Sequence, residues 1–181
     1  MTRIMVDIET RALSPRAAIL QIGAVVIDNA LNVTQKVFDA CIDAQDSARY
    51  GEVDPGTDEW WAWQSDQVSR KVWSGTETSA SVTGRFQLWM LGQRDVLFDT
   101  EVWAQGPQFD LVALRWLFKQ HGLSVPWKYN EERDLRTARK LIPVHVERDE
   151  HLPAHDALAD AVHQANILRE VIWRSRHKGE L

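Results

Sequence analysis

The sequence predicts a mixed α/β domain whose sheet starts as a three-stranded antiparallel meander, continues with parallel strands and is flanked by helices. Three observations carry this. Up to residue 42 the chain holds three β-rich runs joined by short polar turns, the spacing of an antiparallel meander. Beyond residue 54 the apolar spacing turns helical and is interrupted by one more β-rich run at 96–105, the alternation of a mixed sheet. No internal repeat, low-complexity tract or linker divides the 181 residues, so a single domain over 1–181 is expected.

The elements follow in order. "MVDIET" (5–10) lies in an apolar run of Ile4, Met5, Val6 and Ile8, and "RALSPRAA" is a polar turn with Pro15. "ILQIGAVVID" (19–28) ends at the turn signal Asp28-Asn29, and "NVTQKVFDACI" (32–42) completes the meander. "DPGTDEWWAWQSDQVSRKVW" reads as a helix with Thr57 as N-cap and Asp58 and Glu59 in its first turn. "SASVTGRFQLWMLGQR" sets Val82, Phe86, Trp89 and Met90 at helical intervals. "VLFDTEVWAQ" (96–105) supplies a fourth strand, and "GPQFDLVALRWLFKQHG" a helix with Pro107 at its entry, Asp110 in its first turn and Gly122 past its end. "RDLRTARKLI" is a short helical piece and "PVHVERDEHLPAH" a polar loop. "DALADAVHQANILREVIWRSR" closes the chain as a helix with Leu158, Ala161, Val162, Ala165, Leu168 and Ile172 on one face and Asp156 in its first turn.

Composition narrows the class. The net charge of −5 argues against a protein that coats duplex nucleic acid electrostatically, though not against a nuclease, whose clustered carboxylates are offset by bound cations. Cys41 is the only cysteine, which excludes an intrachain disulfide and a Cys-rich zinc site and suits a reducing cytoplasm. No apolar run is long enough to span a bilayer, and a strand pattern from residue 4 leaves no room for a signal peptide, so a cytoplasmic protein with no membrane partner is expected. Of nine tryptophans, most are expected in the core and some against bases.

The chemistry starts from "MVDIET". Residues two apart on a strand share a face, roughly 6 to 7 Å along it, so Asp7 and Glu9 project together from a strand whose other residues are apolar. Two buried carboxylates need a cation or a proton between them. Two further acids lack an obvious structural use: Asp110, after Phe109 at the start of an apolar helix, and Asp160, between Ala159 and Ala161. His155 lies five residues ahead of Asp160. Four carboxylates and one histidine are an inventory for two-metal hydrolysis, with hard divalent ions on oxygen ligands and the histidine as general base. Zinc on the histidine-containing loop lacks ligand spacing.

These residues resemble the three motifs of the DEDDh exonucleases, which have a ribonuclease H-like fold: Asp7 and Glu9 in "DIET", Asp110 in "WAQGPQFD", His155 and Asp160 in "HDALAD". With "SPRAAILQIGAVVID", "TDEWWAWQ" and "DLRT" in the same order, the likeness extends over residues 4 to 170, to the branch that holds ribonuclease AS and the phage DexA-like exonucleases. The resemblance implies two divalent ions, Mg²⁺ or Mn²⁺. Asp7 would bridge them, Glu9 and Asp160 would hold the one nearer the nucleophile, Asp110 would contact the other, and His155 would be the base. Gln105 departs from the pattern, standing where relatives carry Asn, which bears on a substrate contact and not on metal binding.

Candidate substrate contacts are Thr10 and Phe109 beside the motif carboxylates, Gln105, and Arg136 in "DLRT". Trp60, Trp61 and Gln64 join them, because one tryptophan can stack on the terminal base while its neighbour packs inward. The reading is a 3′→5′ exonuclease releasing nucleoside 5′-monophosphates from the 3′ ends of single strands, with RNA favoured because this branch includes an exoribonuclease. The alternatives are a single-stranded DNA exonuclease of phage type and, in a different class, a binding module that kept the fold without turnover. The resemblance also implies a homodimer, and a bacterial or phage-infected host cytoplasm as its place.

Overall fold

In the computed structural model, which describes residues 1–94 and 99–177, the three β-rich runs are the nine-residue strands β1 (Thr2–Thr10), β2 (Ile19–Ile27) and β3 (Val33–Cys41). They pair antiparallel in sequence order. β4 (Thr100–Ala104) and β5 (Glu132–Asp134) lie parallel on the other side of β1, giving the order β3-β2-β1-β4-β5. β4 matches the run expected at 96–105 from residue 100 onward, and residues 96–98 lie outside the described residues. β5 was not expected. Its residues Glu132, Arg133 and Asp134 carry no apolar pattern, and the strand exists because its backbone completes the ladder on β4 while Arg115 pairs with Glu132 and Arg133 with Glu101.

Seven α-helices and one 3-10 turn (Tyr129–Glu131) complete the described chain: α1 (Ala44–Ser47), α2 (Pro55–Ala62), α3 (Asp66–Val72), α4 (Ser79–Gln93), α5 (Asp110–Gln120), α6 (Leu135–Leu141) and α7 (Ala157–Arg176). The segment read as one helix from residue 54 is two, because Ser65 caps a new start at α3. Thr57 is not the N-cap of the first: Asp54 is, with Pro55 in the first turn, and its carboxylate accepts from the Thr57 N–H and hydroxyl at 3.0 and 2.9 Å. Pro107 likewise precedes its helix, in the turn where the Gly106 carbonyl accepts from the Phe109 and Asp110 N–H groups. Gly122 does end α5, at a φ of +64° that glycine adopts without steric cost.

The sheet is covered on both faces. Ile4, Val6 and Ile8 of β1 meet α4 and α5 through Phe86, Leu111, Leu114 and Phe118, and the opposite face packs Met5, Val25 and Ile27 against α6 and α7. Asp7 and Glu9 share the Met5 face, as the period of two requires. α7 turns inward Ala161, Ala165 and Leu168, as expected, together with Gln164, Ile167 and Val171, while Leu158, Val162 and Ile172 are only half buried. Only Trp61 and Trp127 among the tryptophans are fully buried. Trp103 and Trp116 sit at the edges with Nε1 donating to Glu101 and to the Tyr50 carbonyl, as suits a large ring with one polar atom. No described helix is long and apolar enough to cross a membrane.

One close approach positions everything that follows. Gly23 pairs with Asp7 across β1 and β2, and a Cβ at Gly23 would lie 2.2 Å from the Ala157 carbonyl carbon. The bare backbone at residue 23 thus lets the first turn of α7 rest on the sheet beside Asp7. Gln21 fixes that turn, accepting from the Ala157 N–H at 3.1 Å, and Asp156 caps it, accepting from Ala159 at 2.9 Å and pairing with Lys71. Asp156 is therefore the N-cap, one position earlier than a first-turn acid.

Candidate active site

The C-terminal end of β1, the start of α5 and the first turn of α7 bring the expected carboxylates together. Asp7 and Glu9 come from β1, Asp110 opens α5, and Asp160 lies on the turn of α7 that Gly23 admits. Carboxylate oxygens of Glu9 and Asp160 and a ring nitrogen of His155 all lie within 4.8 Å of one another. A register shift between Glu9 and Thr10 ends the regular pairing just past the second acid.

Electrostatics tie Asp7 and Asp110 to the same cluster. Burial, then the charges of Asp110, Glu9 and Asp160, hold the Asp7 carboxyl well above the ordinary range, against a hydrogen bond of 2.7 Å from Gln164 Nε2. Glu9 is pushed up to about 8 by burial and then by Asp160, Asp156 and Asp110. Burial raises Asp110 to about 6, opposed by the Gly106 backbone N–H at 3.3 Å and by Arg136. Carboxylates that raise one another in a shared pocket are the donor set that a hard divalent cation suits. Gln164 Oε1 is moreover buried with no hydrogen-bond partner among the described residues.

His155 has a left-handed backbone, φ +63°, which for a non-glycine residue marks local strain. Two contacts hold it there. Its N–H donates to Asp160 Oδ2 at 2.9 Å, and the Arg148 guanidinium grips both the Leu152 and Pro153 carbonyls at 3.1 Å and Asp160 Oδ1. The imidazole meets the Trp60 ring edge-on, centroids 4.8 Å apart. Arg148 and Gln164 are contacts that the sequence reading missed. Gln164 carried a signal, four residues after Asp160 on one helix face. Arg148 carried none, since the loop it sits on has no periodicity.

An apolar cavity of about 390 Å³ opens beside Glu9, lined by Ile8, Thr10, Leu13, Trp60, Trp61 and Phe109 among others. Of the paired tryptophans, Trp61 is the inward one: it is 2% exposed and its Nε1 donates to the Thr10 carbonyl at 2.9 Å. Trp60 is 41% exposed on the cavity side. Gln64 turns back to the Trp60 carbonyl at 3.2 Å and is not among the residues that line this cavity. Gln105 and Arg136 border the carboxylates on the opposite side, with Asp7 and Asp110.

The 3′-5′ exoribonuclease Rv2179c-like domain model matches residues 2–173. No curated protein matches the sequence. Among solved structures, the chain is similar to E. coli exonuclease I in complex with a dT13 oligonucleotide, at TM-score 0.70 and 17% identity over 99% of this chain and 42% of that one. It is similar to the nuclease domain of 3′hExo, a DEDDh family member bound to rAMP, at TM-score 0.71 and 12% identity over 95% and 92%. Cell-death related nuclease 4 matches at TM-score 0.65 and 14% identity over 94% and 63%. The chain thus spans about two fifths of the length of exonuclease I. The fold is ribonuclease H-like and is shared with these nucleases.

Proposed function

This chain belongs to the Rv2179c-like 3′-5′ exoribonuclease domain family, and on that premise we propose that it is a DEDDh 3′-5′ exonuclease that hydrolyses single-stranded RNA from the 3′ end to nucleoside 5′-monophosphates. The observation that carries the reading is the meeting of Glu9, His155 and Asp160 within 4.8 Å, on a floor shared with Asp7 and Asp110 and flanked by an aromatic cavity. Asp7, Glu9 and Asp160 would hold one divalent cation and Asp7 with Asp110 the other. Mg²⁺ or Mn²⁺ there supplies Lewis-acid stabilisation of the charge that builds on the phosphate during in-line displacement.

The chain's own groups do the rest. His155 takes the proton of the attacking water at a ring nitrogen, held in place through its backbone N–H on Asp160 and the edge of Trp60. Gln164 keeps one Asp7 oxygen fixed, so that the carboxylate is oriented before substrate arrives. Leu13, Trp60 and Phe109 offer the 3′-terminal base an apolar wall, and Thr10, which lines the same cavity, would contact the sugar of that nucleotide. RNA is favoured over DNA because the matching family model is that of an exoribonuclease domain. We read the active protein as a cytoplasmic homodimer.

The test is to offer 5′-labelled RNA and DNA oligonucleotides, single- and double-stranded, with Mg²⁺ or Mn²⁺, and to resolve product lengths over time. A ladder shortening one nucleotide at a time from the 3′ end, faster on single-stranded RNA, is expected. Cleavage of a circular strand, or equal rates on 3′-phosphate and 3′-hydroxyl ends, would replace this reading with an endonuclease. Faster loss of DNA would reverse the substrate preference alone. Trp60 and Trp61 separate on a second measurement. Trp60→Ala is expected to weaken oligonucleotide binding by about 1 to 3 kcal/mol with little change in melting temperature. Trp61→Ala is expected chiefly to lower the melting temperature, as the loss of a buried ring does. Equal binding by Trp60→Ala and wild type would remove Trp60 from the base site.

A further inference from the structure

We propose that the exposed basic face of α6 is a binding site for the phosphodiester backbone upstream of the scissile bond, an inference that rests on the exonuclease reading above. Arg136, Arg139 and Lys140 stand three and four residues apart, so they share one face of the helix, and all three are exposed. With Gln105, Pro143 and Val144 they line a cavity of about 360 Å³. None of the three is engaged in a salt bridge among the described residues, whereas Arg133, just ahead of α6, pairs with Glu101, and Arg148, which lines the adjoining cavity with Arg139, pairs with Asp160.

A solvated helix face is the ordinary fate of such side chains; what sets this one apart is where it leads. Gln105 lines this cavity and also both of those that open on the carboxylates. Arg136 is shared with the cavity at Asp110, and Arg139 with the cavity at Asp160. The basic groove is therefore continuous with the catalytic floor. The aromatic cavity lies beside Glu9 and Thr10 and includes none of the three cations. A strand that seats its last base against Trp60 and its scissile phosphate over the carboxylates has its remaining phosphates still to place. In a chain of net charge −5, the groove at Arg136, Arg139 and Lys140 offers them unpaired cations next to the site.

The experiment measures binding apart from turnover. A fluorescent single-stranded RNA of about ten nucleotides is titrated in chelator against wild type and Arg139→Gln/Lys140→Gln across a salt series. Each lost phosphate contact removes about 0.7 from the slope of log affinity against log salt for a single strand, so the double variant should lose about 1.4 and bind about tenfold more weakly at low salt. The loss should shrink as the oligonucleotide is shortened toward a dinucleotide. Arg139→Lys/Lys140→Arg, which keeps both charges, should retain the wild-type slope, and melting curves show that the variants fold. A wild-type slope and length dependence in Arg139→Gln/Lys140→Gln would overturn the groove. Failure of the wild type to shorten any oligonucleotide would instead overturn the exonuclease reading, and the binding slopes would still decide the groove.

Discussion

Asp7→Asn is expected to abolish hydrolysis, by more than about a hundredfold, while the protein still folds. The asparagine keeps the oxygen that accepts from Gln164 and removes only the charge, so the packing around β1 is undisturbed. Removing even a group that merely supports a metal ligand costs about ten- to a hundredfold, and a ligand itself costs more. His155→Ala should fall comparably for another reason, leaving the carboxylates and their cation affinity in place but no base for the water. The two variants are told apart by Mn²⁺ titration followed by melting: His155→Ala keeps the wild-type shift and Asp7→Asn loses most of it. Wild-type turnover by Asp7→Asn would remove Asp7 from the metal ligands, and loss of the Mn²⁺ shift in His155→Ala would make His155 a ligand instead of the base.

Much of this site was legible because strand and helix periods report faces. Asp7 and Glu9 break an apolar run at a spacing of two, and the sheet does place both on the α7 side with Met5. Asp110 and Asp160 interrupt apolar helix starts, and the fold brings both starts to the end of β1. What stayed hidden has no period. β5 is three charged residues whose only reason to be a strand is the free edge of β4, and Arg148 reaches Asp160 across a loop that only the folded chain closes. The cap at Asp54 was missed in favour of Thr57 because a threonine before two acids is also a good start. Pro55 decides between them, since proline belongs in the first turn and not beyond it. The tryptophans went astray through size, for a ring with one N–H packs at an edge where that group finds an acceptor, as Trp103 and Trp116 do.

Stability of the metal-free protein should fall as pH rises from about 4.5 to about 8, the window of Glu9, with Asp7, whose carboxyl is also held well above its ordinary range, adding to the decline. The Glu9 carboxyl is raised from 4.5 to about 8 in the folded protein, by burial first and then by Asp160, Asp156 and Asp110. Over that range the folded state holds a proton that the unfolded chain has released. Stability follows the difference in bound protons between the unfolded and folded states, so this contribution is complete below 4.5 and lost as pH climbs to about 8. Asp110, raised to about 6, adds to the lower part of the same decline. Divalent cations reverse the trend, since they require the ionised form and bind the folded chain. At a hundredfold excess over Kd the gain is about 2.7 kcal/mol, roughly 5 to 11 °C in a domain of this size. Melting temperatures in chelator and in saturating Mn²⁺, at constant ionic strength from pH 5 to 8.5, should therefore diverge as pH rises. Glu9→Gln carries neither the charge nor the proton, so in chelator it should melt above wild type at pH 8, with a flatter pH profile. It should also gain less from Mn²⁺ than wild type does. Parallel profiles for Glu9→Gln and wild type in chelator would mean that Glu9 does not carry the repulsion. Equal Mn²⁺ gains would remove it from the ligand set.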